Sequence, residues 1–170
     1  PKFTIMRKKL QKSLVMMVFT ILCLIGFGTT LQAQPANDAC ADAQLLTVYG
    51  STCGSSTTGN VSGATLSTAA NCAGTANNDV WYKFVAFSTT QIITVVGSTN
   101  FDAVVEVLSG ACMGTNIFCA DATGTNDTEV ITATGLTVGS TYLIRVYDYY
   151  SSVPTTTTFT ICITSPPPAN

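Results

Sequence analysis

"DVWYKFVAF", Asp79 to Phe87, decides the reading of this sequence. Its residues alternate, with Val80, Tyr82 and Phe84 on one side and Trp81, Lys83 and Val85 on the other. A period of two is the signature of a strand with one face on a core. The same pattern returns on both sides. "QLLTVY" (44–49) precedes it. "QIITVVG" (91–97), "FDAVVEVLSG" (101–110), "TNIFCA", "TEVITAT", "TYLIRVYDYY" and "TTTFTICI" follow. Thr, Val, Ile, Tyr and Phe suit a pleated surface. Gly, Asn, Asp or Ser turns bound each run at roughly ten-residue spacing. The expected fold is all-β: a β-sandwich or jelly roll of about eight short antiparallel strands. "NDACADAQLL" is the one stretch with a helical reading, with Asn37 or Asp38 as cap.

Upstream the composition changes. Met6 is followed by Arg7, Lys8, Lys9 and Lys12, then the apolar run "LVMMVFTILCLIGFG" (14–28) and the small-residue site "LQAQ". This arrangement predicts a secretory signal peptide over 1–33, starting at Met6, with cleavage after Ala33. A spanning helix needs about 20 apolar residues, and this run is shorter. Leu22 before Cys23 is too large for a lipoprotein cleavage box. After the leader come two cations, Lys83 and Arg145, against nine acids, a formal charge of −7. Nucleic acid and anionic membrane are thereby excluded as partners, because both need clustered Lys and Arg. The expected location is secreted or cell-surface.

Six cysteines remain after the leader: Cys40, Cys53, Cys72, Cys112, Cys119 and Cys162. An even number in an exported chain reads as three disulfides, with fifteen possible pairings. Spacing suggests a local Cys112–Cys119 bridge, with Cys53–Cys72 and Cys40–Cys162 completing the set. The chain holds no histidine and no Cys-x-x-Cys, so zinc and histidine-dependent nucleophilic catalysis are excluded. Asp102 and Glu106 share a strand face about 13 Å apart, too far for a retaining glycosidase pair. The chain is read as non-enzymatic.

Three groups remain as candidate sites. "YLIRVYDYY" puts Tyr142, Ile144 and Val146 on one face. Arg145, Tyr147 and Tyr149 then form an outer stripe, with Tyr150 in the next loop. Such a stripe could stack on sugar rings or a peptide, or simply cover an edge. "DATGTND" offers Asp121, Asn126 and Asp127, with Asp102 on a neighbouring strand end. These are oxygen ligands of the kind Ca²⁺ takes, and equally the residues that form turns. Asn60 and Asn126 fit the N-glycosylation pattern and are read as turns.

"PANDACADAQLL", "DVWYKFVA", "FDAVVEVLSGAC", "IFCADATG" and "GLTVGSTYLIRVYDY…FTICI" together resemble, in order, a module of secreted proteins of Bacteroidetes-type bacteria. That module is similar to the bacterial pre-peptidase C-terminal (PPC-like) β-sandwich family. The resemblance spans Pro35 to Ile163. It implies an accessory module that stands in tandem or beside exported enzymes, so that neighbouring domains of the same polypeptide are partners. "SPPPAN" (165–170) repeats Pro35-Ala36-Asn37 after a proline run. It reads as a linker (166–170) leading to a further module, with 34–165 as the present one. Where the family often carries Asn-Asp-Asp after the residue equivalent to Cys119, this chain has "CADATGTND", which thins the acidic cluster. The expected function is binding of carbohydrate or a matrix protein without catalysis. The alternative is a structural spacer without a ligand.

Overall fold

The computed structural model describes Arg7, Gln11, Lys12, residues 33–112 and residues 114–167. Two compact units divide at Leu31. The first contributes only Arg7, Gln11 and Lys12, all helical. The rest of the expected leader and the Pro168-Ala169-Asn170 repeat lie outside the described residues. Among the described residues no helix is long and apolar enough to cross a membrane.

The second unit is a sandwich of two five-stranded sheets. Its strands are β1 (Gln44–Leu45), β2 (Val48–Tyr49), β3 (Thr57–Asn60), β4 (Asp79–Val85), β5 (Thr90–Gly97), β6 (Ala103–Ser109), β7 (Asn116–Ala120), β8 (Thr128–Thr134), β9 (Thr141–Asp148) and β10 (Thr158–Thr164). The first sheet runs β1-β4-β9-β6-β7. The second runs β2-β10-β5-β8, with β3 also on β10. The expected single strand "QLLTVY" is in fact two. β1 lies parallel to β4 and β2 parallel to β10, so this short stretch crosses from one sheet to the other. The crossing point is Leu46, which is buried and donates its N–H to the Lys83 carbonyl. The expected helix is only a 3₁₀ turn, Cys40–Asp42, because both candidate caps are engaged elsewhere. Asn37 donates its Nδ2 to the Trp81 carbonyl, and Asp38 accepts from the N–H and hydroxyl of Thr65.

The inner faces meet as the alternation predicts. Val80, Tyr82 and Phe84 from β4 join Ile144 and Val146 from β9, and they face Ile93, Phe159 and Ile161 of the second sheet. Phe159 stacks on Phe101 and meets Tyr82 edge-on, at centroid distances of 5.5 and 6.1 Å. Gly59 sits beneath these rings. A β-carbon there would run into the Phe159 ring and the Tyr82 hydroxyl. Asn126 forms a turn as expected, whereas Asn60 ends β3 and caps the turn that follows. Asn60 accepts from the Ser62 N–H, and Asn126 has φ of 69°.

The outer face of the second sheet follows from the register. Thr160 faces Val96 and Val96 faces Thr128. Cys162 faces Thr94 and Thr94 faces Val130. Thr164 faces Ile92 and Ile92 faces Thr132. Among the described residues these outward positions of β5, β8 and β10 carry no Asp, Glu, Lys or Arg.

Candidate functional site

The outer face of the first sheet is buried, contrary to the expectation of an exposed stripe. The long connection 61–78, which has no regular secondary structure, is fastened across it. Arg145 and Tyr147 are each 0% exposed. The Arg145 Nε donates to Asp79 Oδ2 at 2.7 Å, and Nη2 approaches the same oxygen at 2.6 Å off the N–H axis. Nη1 reaches Glu106 Oε2 at 3.4 Å and the carbonyls of Ala69 and Ala70 in the connection. The guanidinium also lies 4.7 Å from the Tyr147 ring centre and 5.9 Å from that of Trp81. Asp79 accepts from Trp81 Nε1 and from the N–H and hydroxyl of Ser67. Glu106 accepts from the Cys72 N–H and the Tyr147 hydroxyl. Burial and the Glu106 carboxylate raise the Tyr147 phenol well above its ordinary range. Arg145 is therefore a structural counter-ion, and Trp81 is core of this second layer rather than of the main one.

Two of the three disulfides, Cys40–Cys112 and Cys72–Cys119, staple the same layer, and the third is on the second sheet. They pair Cys40 with Cys112, Cys53 with Cys162 and Cys72 with Cys119, which corrects all three expected pairings while keeping all six cysteines oxidised. Cys119 stands opposite Glu106 in the β6–β7 ladder, whereas Cys112 lies beyond the end of β6. Cys119 is three residues along β7 from Asn116, about 10 Å. That is too far for a local bridge across the hairpin. Cys119 faces the connection instead and holds it through Cys72.

What remains open is one end of the sandwich, where the loops after β5, β7 and β9 meet. Tyr149 and Tyr150 are 37% and 52% exposed and form an edge-on pair with centroids 5.2 Å apart. Their backbone is tied to two carboxyl-bearing residues. Tyr149 N–H donates to the Asp102 carbonyl, and Tyr150 N–H donates to Asp148 Oδ2. Asp148 Oδ1 in turn accepts from the Asp102 N–H. Asp102 Oδ1 is buried without a hydrogen-bond partner among the described residues. Burial, then the charges of Asp121, Asp148 and Glu129, raise the Asp102 carboxyl. Asp121 is raised by burial and Glu129. Asp148 is raised by burial, partly offset by the N–H bonds it accepts from Asp102 and Tyr150.

The sequence grouped Asp102, Asp121, Asn126 and Asp127 as possible calcium ligands. The structure brings Asp102 and Asp121 near one another but adds Asp148 and Glu129, which the sequence reading missed. Asn126 Oδ1 accepts from the Asn100 N–H, and Asp127 Oδ1 from the Thr128 N–H, so both cap turns. Glu129 accepts from the N–H groups of Ala122 and Thr123. Among the described residues no group of three or more His, Cys, Asp or Glu is placed to hold a metal ion.

A family model described as galactose-binding-domain-like and T9SS-associated matches residues 36–161. No curated protein matches the chain. Among solved structures, the chain is similar to the pre-peptidase C-terminal domain of collagenase from Bacillus anthracis, at 13% identity and a TM-score of 0.48. That alignment covers 78% of this chain and 99% of the other.

Proposed function

The chain belongs to the T9SS-associated family of galactose-binding-domain-like modules, and from that premise we propose that it is a non-catalytic accessory module of an exported or surface bacterial protein, binding carbohydrate at its loop end. The observation that carries this reading is the exposed Tyr149–Tyr150 pair beside Asp102 and Asp148. Aromatic rings offer flat apolar area to the C–H face of a sugar, while Asp102 and Asp148, both buried, brace the backbone of the pair. Arg145 and Tyr147 do not touch the ligand in this reading, since both are buried. They hold the strand from which Tyr149 and Tyr150 project.

Glycan-array and collagen-binding assays on the full chain, with Tyr149→Ala plus Tyr150→Ala as the paired variant, test this. Sugar binding that the variant loses supports the proposal. Binding to collagen alone reassigns the ligand to a matrix protein. Absence of binding to either leaves a structural spacer between neighbouring domains of the same polypeptide. The secretory leader over 1–33 and a further module after 166–170 belong to the same proposal.

A further inference from the structure

We propose that the end of the sandwich opposite Tyr149 and Tyr150 is a docking surface for the module that follows in the same polypeptide. It rests on the reading that a further module stands after residues 166–170. A groove at this end is lined by Leu45, Leu46, Val48, Val85 and Phe87. Phe87 is 78% exposed, Leu45 63% and Val85 45%, and Val138 in the adjoining loop is 57% exposed. Among the described residues no other large hydrophobic side chain is as exposed as Phe87.

The exposure is built into the backbone. Phe87 stands in the loop 86–89 between β4 and β5. On one side of it Ala86 donates its N–H to the Ser140 carbonyl and accepts from the Gly139 N–H, both at 2.9 Å. On the other side the Ser88 hydroxyl donates to the Thr90 carbonyl and accepts from Gln91 Nε2, while the Thr89 carbonyl accepts from the Leu136 N–H. Both neighbours are tied down, so Phe87 cannot turn back toward the core without breaking these bonds. Leu45 extends the patch because β1 lies beside β4. Phe, Leu and Val gathered in one exposed patch are what the buried centre of a protein interface is made of. An anionic membrane would need clustered Lys and Arg. After the expected leader only Lys83 and Arg145 carry positive charge, and Arg145 is buried.

The path of the chain names the occupant. Asn37 lies beside the start of β4, where its carbonyl accepts from the Trp81 N–H. β10 finishes at the other end of the sandwich, with Thr164 opposite Tyr49 and Ile92. Ser165 then donates its N–H to the Tyr49 carbonyl and its hydroxyl to Gln91 Oε1. Gln91 in turn bonds Ser88, the residue after Phe87. The chain therefore leaves the sandwich beside the groove. Five residues, 166–170, span at most about 17 Å however they are arranged. A module joined there is held close to this end at a high effective concentration, so even a small apolar contact seats it. Entry at one end and exit at the other string such modules end to end.

The test is hydroxyl-radical footprinting, read by mass spectrometry, of the chain ending at Asn170 and of the full polypeptide that continues past it. Phe87 and Leu45 should be oxidised severalfold more slowly in the full polypeptide, while Tyr150 keeps its rate. Small-angle scattering of the full polypeptide should show the two modules held at one separation. Phe87→Ser plus Leu45→Ser, checked for an unchanged near-UV spectrum, should free them and broaden the distribution of distances. A following module with Phe87 oxidised as fast as in the shorter chain overturns this inference alone and leaves the further-module reading standing. A reading frame that stops after Asn170 overturns both. Protection of Phe87 in the shorter chain that grows with its concentration also overturns the inference, because the groove then seats a second copy. So does sugar binding that the Phe87→Ser/Leu45→Ser variant loses and Tyr149→Ala/Tyr150→Ala keeps, which makes the groove the ligand site.

Discussion

Removing the Arg145 guanidinium should strip two buried carboxylates of their counter-ion. In Arg145→Met the aliphatic stem is retained, so packing against Trp81 and Tyr147 is largely kept. Asp79 and Glu106, both fully buried, are left facing each other's layer without a cation. Breaking a buried ion pair by removing one partner costs about 3–5 kcal/mol. The lower half of that range applies, because Asp79 keeps its bonds from Ser67 and Trp81, and Glu106 keeps those from Cys72 and Tyr147. For a domain of this size each kcal/mol lowers Tm by about 3–4 °C, so the variant should melt about 10–15 °C below wild type. The loss arises from charge, so removing the orphaned charges should shrink it. Arg145→Met combined with Asp79→Asn and Glu106→Gln should regain part of the loss near neutral pH. Urea denaturation of the three proteins near neutral pH is the assay. The reasoning is refuted if the single variant loses less than about 1 kcal/mol, within the range of an exposed pair. It is equally refuted if the triple variant is no more stable than the single one.

Three further outcomes are expected. Asp102, Asp121 and Asp148 have raised carboxyls, so the folded chain binds protons more tightly than the unfolded chain. Their stabilising contribution is full below the ordinary aspartate range and is lost as pH rises through the raised folded values. Asp102→Asn should therefore raise the urea midpoint near neutral pH and flatten its rise on acidification. A wild type stabilised by millimolar Ca²⁺, with a variant that is not, would instead make these carboxylates a cation site. Replacing Cys72 and Cys119 by Ala frees a loop with a sequence separation of 47, for which chain entropy predicts about 4 kcal/mol; an unchanged denaturation curve would contradict that. Gly59→Ala should destabilise by about 1–3 kcal/mol, because its β-carbon meets the Phe159 ring and the Tyr82 hydroxyl; calorimetry decides.

The strands were legible because alternation is local. Val80, Tyr82 and Phe84 could be assigned to the core, as could Ile144 and Val146, and the structure places them there. What alternation cannot say is what covers the opposite face. Trp81, Val104, Leu108 and Leu143 all occupy "outer" positions and are all buried. That was the available signal: "DAVVEVL" and "YLIRVY" are nearly continuous in apolar residues, as strands buried on both faces are. Read that way, Arg145 in β9 demands buried acids: Glu106 stands opposite it in the ladder of β6, and Asp79 lies on the same face of β4, opposite Tyr147. The disulfide pairing was illegible for a different reason. Each bridge spans 47 residues or more, so it reports how loops lie across sheets rather than any local spacing. The loop-end site was half legible: Tyr149, Tyr150, Asp102 and Asp121 were named, whereas Asp148 and Glu129 joined them only through the strand register.

The Cys53–Cys162 bridge also sets how the module answers a mechanical load. Tension applied between Asn37 and Ser165 reaches Cys53 along the chain and passes through the bridge to Cys162, bypassing everything between. β3 through β9 lie off that path, so their strands cannot be drawn out however hard the ends are pulled. Only Asn37–Cys53 and the three residues past Cys162 can straighten, to a span of about 65 Å at ~3.4 Å per residue. With the bridge oxidised the reach of the module is capped, and the loops after β5, β7 and β9 lie off the loaded path under a pull that would unravel an uncrosslinked sandwich.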